Sequence, residues 1–227
     1  MKKKMISSSS LSFLCLAATL MSAGAAHAGP VTHVVKNGGF ETQTRGGPYG
    51  DYCYTTVHAG CTLADWTTSG STVVIASNSG SWGGPSSLAN GQTGLGNFVL
   101  GLQGDGATLS QYLNLNAGSQ VALSWFDAGR SNWSYGLQSY EVSFAGTKLG
   151  TFSNNVGQGW SQHNLAFTAS GSGALQFRSL NLGGYDRTSF INGVDAAVTQ
   201  VPEPQSLALV LAGLFAAALL RRRSPRV

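Results

Sequence analysis

The chain has 227 residues, of which 42% are hydrophobic and 10% charged, with 31 glycines. Its formal net charge is +4, from 13 basic and 9 acidic residues, but the basic excess sits at the two ends, in Lys2, Lys3, Lys4, Arg221, Arg222, Arg223 and Arg226. The body between them carries six basic and eight acidic side chains, which excludes a basic surface for nucleic acid.

Residues 1–28 read as a secretory signal peptide. Lys2 to Lys4 form the charged start, residues 11–20 the apolar centre, and Ala26-His27-Ala28 fits an A-x-A cleavage site. Cys15 lies in the apolar centre and leaves with it, so an exported body retains Cys53 and Cys61, which are expected to form a disulfide. Residues 29–200 are then one domain with a substantial core.

That body is rich in Gly, Ser, Thr and Asn and shows no sustained helical period. Short alternating runs recur at 31–35, 72–75, 97–102, 108–115, 120–126, 139–144, 149–152, 163–167, 174–179 and 189–198. Turn clusters such as Asn116-Ala117-Gly118-Ser119 separate them. Short strands at regular spacing with glycine-rich turns predict an all-β sandwich. Alternation puts Val121, Leu123 and Trp125 on one face and adds Leu165, Phe167, Leu175 and Phe177 to the core, with Trp66 and Trp160. His163 is read as a surface residue.

Residues 201–227 are of another kind. Sixteen uncharged residues, Gln205 to Leu220, precede Arg221, Arg222 and Arg223. As a helix they span roughly 24 Å, short for a bilayer but sufficient with snorkelling arginines. Pro202 and Pro204 suit the helix start, and the arginines would stay cytoplasmic. A C-terminal transmembrane helix is expected.

Pro202-Glu203-Pro204, a short apolar helix and an arginine cluster at the extreme C-terminus resemble the PEP-CTERM sorting signal. The resemblance implies a Gram-negative bacterium that secretes exopolysaccharide. It also implies an exosortase-type membrane enzyme that processes the chain near Pro202, Glu203 and Pro204. The protein would be held briefly in the inner membrane, then left at the cell surface or in the extracellular matrix.

Several segments of the body resemble the jelly-roll family of galactose-binding-like domains and carbohydrate-binding modules. They are Asn37-Gly38-Gly39-Phe40-Glu41, Trp66, Leu109-Ser110-Gln111, Gly159-Trp160 and Phe190-Ile191-Asn192-Gly193-Val194. The resemblance implies a jelly-roll β-sandwich. It also implies a structural calcium joining Glu41 to the position held here by Asn192, where the family has an aspartate. Asp195, three residues on, falls on the opposite side of the strand from Asn192.

Sugar recognition needs aromatic faces and a few polar forks. Two loops offer them: Tyr49, Tyr52 and Tyr54 beside the cysteines, and Arg130, Trp133 and Tyr135. The sequence has no G-x-S-x-G, no H-E-x-x-H and no paired glutamates, and only Asp127 and Asp186 suggest an acid pair. The expected function is therefore non-catalytic polysaccharide binding. A structural biofilm or exopolysaccharide-associated protein without a defined ligand, and a secreted glycan hydrolase, are the alternatives.

Overall fold

A computed structural model describes residues 29–45, 50–76, 79–83, 96–133, 136–181, 186–199 and 213–214. Gly29–Val201 form one compact unit. The signal peptide, the sorting motif Pro202, Glu203 and Pro204, and the cluster Arg221, Arg222 and Arg223 lie outside the described residues. Gly213 and Leu214 are helical. Among the described residues no helix is long and apolar enough to cross a membrane.

The unit is all-β. Its described strands are β1 (Val31–His33), β2 (Gln43–Thr44), β3 (Tyr52–Tyr54), β4 (Thr62–Leu63), β5 (Thr67–Ser69), β6 (Thr72–Ala76), β7 (Phe98–Gln103), β8 (Asp105–Leu113), β9 (Gln120–Gly129), β10 (Gln138–Phe144), β11 (Thr147–Asn154), β12 (Ser161–Thr168), β13 (Gly173–Leu180) and β14 (Thr188–Thr199). All pairings are antiparallel. One sheet runs β12-β9-β14-β7-β6-β3, and β1 joins it on β14. The other runs β11-β10-β13-β8-β5, and β2 pairs β4 apart from both. On one side β14 pairs β9; on the other it meets β7 through Thr188 to Ile191 and β1 through Ala197 to Thr199.

The two sheets face one another across the main core, so inward residues alternate with outward ones along most strands; over β6, β7 and the start of β14 the larger sheet is buried on both faces, its second side under a cluster that includes Val73, Ile75, Trp82, Val99 and Phe190. In β9, Val121, Leu123 and Trp125 are buried as the alternation predicts; across from them lie Leu109, Tyr140, Val142, Leu175 and Phe177. Trp66 and Trp160 are also buried. Each of the ten expected runs overlaps a strand, although residues 34–35, 97 and 114–115 fall outside β1, β7 and β8. Leu165 and Phe167 face the core but are only partly covered, because β12 is a sheet edge with no neighbour beyond it. Tyr52 and Tyr54 are not in a loop: with Cys53 they make β3, and Asp127, Ala128 and Gly129 extend β9.

The N-G-G-F-E stretch carries a steric requirement. The Gly38 carbonyl accepts the Val194 amide at 3.0 Å, and a Cβ on Gly38 would lie 1.9 Å from the Val194 carbonyl oxygen. Backbone on both sides leaves nothing flexible to move. Gly38→Ala should destabilise the domain by about 1–3 kcal/mol, the usual range for overpacking, read from the midpoint of urea unfolding.

Candidate functional site

Among the described strands β3 is the edge of the larger sheet and pairs β6, with Tyr52 opposite Ile75 and Tyr54 opposite Val73. Cys53 is fully buried, so Tyr52 and Tyr54 on either side of it emerge together on the other face. Cys53 is bonded to Cys61, as the cysteine count predicts. Closing that short loop restricts the unfolded chain by about 2–3 kcal/mol in the entropy model. It also anchors the edge strand that carries both rings.

Trp82 lies 3% exposed against the two tyrosines, 5.4 Å from Tyr52 edge-on and 6.0 Å from Tyr54. The Arg130 guanidinium stands 4.2 Å over the Trp82 ring. Arg130 Nη1 donates to Asp186 Oδ1 at 2.8 Å, and Nε donates to Asn132 Oδ1 at 2.9 Å. The backbone of Arg130 is itself clamped by buried Gln138, whose Oε1 accepts its N–H at 2.8 Å and whose Nε2 donates to its carbonyl at 2.9 Å. Tyr54 donates its hydroxyl to Gln103 Oε1 at 2.7 Å, and Gln103 Nε2 donates to Asp186 Oδ1. Tyr52, Tyr54, Trp82, Gln103, Arg130 and Asp186 line a cavity of about 150 Å³.

Charge in the cavity is balanced. Burial lowers the Arg130 pKa, opposed by the Asp186 carboxylate; an arginine remains cationic regardless. Burial raises the Tyr54 pKa, partly offset by the bond to Gln103. The phenol therefore stays protonated as a donor at and above neutral pH. Asp186 is 40% exposed, so its carboxylate still faces solvent. Carboxylate, guanidinium and amide supply fixed polar forks, and the half-buried rings of Tyr52 and Tyr54 border them; the Trp82 indole lies beneath, covered by both tyrosines and by Arg130. That combination matches the two-sided surface of a pyranose, with C–H groups on one face and hydroxyls around the edge.

The structure thus unites Tyr52, Tyr54 and Arg130, which the sequence places in two separate loops. Trp82 and Gln103, absent from the sequence reading, complete the group with Asp186, which the sequence offers only as half of an acid pair with Asp127. Trp133 does not line the cavity; it projects from the same 130–133 segment, 71% exposed. Tyr49 and Tyr135 lie outside the described residues. Asp127 and Asp186 share no cleft: Asp127 is wholly buried, 2.6 Å from the Tyr140 hydroxyl. His163 is no plain surface residue either. It points inward from β12, stacks on Trp125 at 5.2 Å and sits 2.9 Å from Asp127 Oδ1.

Glu41 and Asn192 meet at the start of β7, but their bonding does not fit a calcium. Glu41 Oε1 accepts the amides of Asn97 at 2.6 Å and Phe98 at 3.0 Å. Asn192 Nδ2 donates to the Phe98 carbonyl at 3.0 Å, so a donor stands where a cation would need an oxygen. Asp195 turns away to His33, at 2.8 Å. No group of three or more His, Cys, Asp or Glu able to hold a metal occurs among the described residues. Excess EDTA should leave the melting temperature unchanged. Asn192→Asp should cost about 1–3 kcal/mol, by facing a carboxylate to the Phe98 carbonyl. A chelator-induced drop of several degrees would contradict this bonding scheme.

No family model matches the chain, and neither does any curated protein sequence. Among solved structures it is similar to TmCBM61, determined in complex with β-1,4-galactotriose, at 21% identity and a TM-score of 0.42 over 73% of this chain and 97% of that one. It is similar to the CBM22-1 xylan-binding domain of Paenibacillus barcinonensis Xyn10C at 14% identity and a TM-score of 0.44, over 79% and 100% of the chains. It also resembles arabinose-bound MgGH51 α-L-arabinofuranosidase at 13% identity and a TM-score of 0.47, over 73% of this chain and 26% of that one. Likeness at this level assigns no ligand.

Proposed function

We propose that this protein is an exported, non-catalytic carbohydrate-binding protein, a jelly-roll module that takes one sugar ring into this cavity. The observation that carries the reading is the Arg130–Asp186 pair with Gln103 and the Tyr54 hydroxyl, held on a buried Trp82 and bordered by the half-buried rings of Tyr52 and Tyr54. A cavity of about 150 Å³ is small for a ligand site and suits a single ring, hence a chain end or a branch. One carboxylate, Asp186, lines it among the described residues, whereas glycoside hydrolysis uses a pair. That supports binding over hydrolysis.

The signal-like start, the sorting-like tail and the disulfide support passage through an oxidising compartment, sorting by an exosortase-type enzyme, and residence at the surface or in the exopolysaccharide matrix. Calorimetric titration with a panel of neutral mono- and oligosaccharides, including fragments of the host's own exopolysaccharide, tests the binding. Saturable heat from at least one sugar of the panel is expected. Silence across the whole panel would refute it. Mass spectrometry of the protein from its host tests the sorting: a C-terminus still ending at Val227 would rule out cleavage.

A further inference from the structure

A second polar groove lies at the far end of the next strand, β8. Gln103, in the cavity, is joined through Gly104 to β8, whose nine residues run away from it for roughly 30 Å. Near the end of that run is an open groove of about 520 Å³, lined by His33, Lys36, Asp65, Thr67, Tyr112 and Asn114 among others. Tyr112 points outward between buried Gln111 and Leu113 and is 64% exposed. Its ring and hydroxyl have no partner among the described residues.

The groove is built, not incidental. Gln111 is 7% exposed and spends its amide on both rims. Its Oε1 accepts the Lys36 amide at 2.8 Å, and its Nε2 donates to the carbonyls of Lys36 at 2.9 Å and Asp65 at 3.0 Å. One side chain on β8 therefore fixes the spacing of the two segments that carry Lys36 and Asp65. Asp65 adopts a left-handed φ of 65°, which an aspartate tolerates better than most residues. The charges oppose one another: Lys36 against Asp65, and His33 held by Asp195. A neutral lining with one free aromatic face and several hydroxyl, amide and ammonium groups fits a neutral polyol. It does not fit an anion, and it lacks the continuous apolar surface a peptide helix needs.

We infer that this groove is a second carbohydrate site, which takes an internal stretch of a neutral polysaccharide across Tyr112. Being open along its length, it admits a passing chain, where the cavity admits one ring. The site stands on its own residues. Its consequence, that one molecule bridges two polysaccharide chains, rests on the cavity reading as well.

The test is an amide-resolved NMR titration of the full protein with neutral gluco-, galacto-, xylo- and manno-hexaoses. Turbidity with the parent polymer of any sugar that binds is read alongside. Two separate sets of shifting amides are expected, one around Tyr54, Trp82 and Arg130 and one around Lys36, Tyr112 and Asn114. Tyr112→Ala removes an exposed ring and leaves the fold intact. It should weaken the groove about tenfold, spare the cavity, and abolish polymer turbidity. The wild type should hold polymer roughly a hundredfold more tightly than Tyr112→Ala. Shifts confined to the cavity, or a Tyr112→Ala groove that titrates like the wild type, would overturn the second site while the cavity reading stood. Shifts confined to the groove would keep this site and remove the cavity reading. No shift with any sugar would remove both.

Discussion

Asp127→Ala is expected to destabilise the sandwich by about 3–5 kcal/mol, because it leaves two buried donors without their acceptor at about 1–3 kcal/mol each. Asp127 is fully buried, and it continues the inward alternation of Val121, Leu123 and Trp125 where another apolar residue would be expected. It is tolerated because its oxygens are surrounded. Tyr140 donates to Oδ2 at 2.6 Å, and the Tyr140 hydroxyl in turn accepts Trp125 Nε1 at 2.7 Å. Turned to present its NH₂, Asn154 lies 3.1 Å from both carboxylate oxygens. His163 Nε2 lies 2.9 Å from Oδ1, off the line of a good hydrogen bond. Alanine would leave the tyrosine hydroxyl and the asparagine amide buried without this acceptor. For a domain of this size the loss corresponds to roughly 6–20 °C in melting temperature. Asp127→Asn keeps the volume and one acceptor and should cost less. A loss under 1 kcal/mol for the alanine variant would show that the network adds no stability.

The same network fixes an alkaline limit. Burial, then the Asp127 charge, drives the Tyr140 phenol far above its ordinary pKa. The unfolded chain therefore releases this proton near pH 10 while the folded chain keeps it. Stability from this group is complete below that pH and falls as pH rises beyond it. Tyr140→Phe should flatten that decline, although it lowers stability at neutral pH.

The long strands were legible because one face of each is buried, and burial writes a period of two into residues such as Val121, Leu123 and Trp125. β2 to β5 were not, because two or three residues carry no period. In Y-C-Y the buried middle residue is a cysteine, and a disulfide loop hides a strand. The cavity was legible by composition only. Tyr54 and Gln103 are 49 positions apart, and Arg130 and Asp186 are 56 apart. Sheet order alone brings them together. Trp82 sits in G-S-W-G-G, where nothing periodic marks it. One signal was available: an aromatic residue in a glycine-rich segment needs a neighbour, and an arginine directly after a strand is a fitting one. His163 was misread because polar identity on an edge strand suggests solvent, while its parity with Leu165 and Phe167 pointed inward.

Arg130→Ala should reduce sugar affinity by at least about a hundredfold, the loss expected when a central buried arginine anchor is truncated. Arg130 is 4% exposed yet serves four neighbours at once: the Trp82 ring, Asp186, Asn132 and the Ser81 carbonyl. Without it Trp82 loses its cover, Asp186 loses its counter-charge, and the 79–83 segment loses a tie to the end of β9. Lysine separates the causes. It restores a positive charge but not the planar fork that stacks on an indole while bonding a carboxylate. If charge alone mattered, Arg130→Lys would bind like the wild type; if geometry matters, it should lose about tenfold or more. Because the alanine change also threatens local packing, stability and affinity must be read together. Wild-type affinity should stay flat from neutral pH to about pH 10, since Tyr54 resists deprotonation and Arg130 stays charged. Sugar binding that survives in Arg130→Ala with full folded stability would place the ligand elsewhere, and Tyr112 would then be the first residue to test.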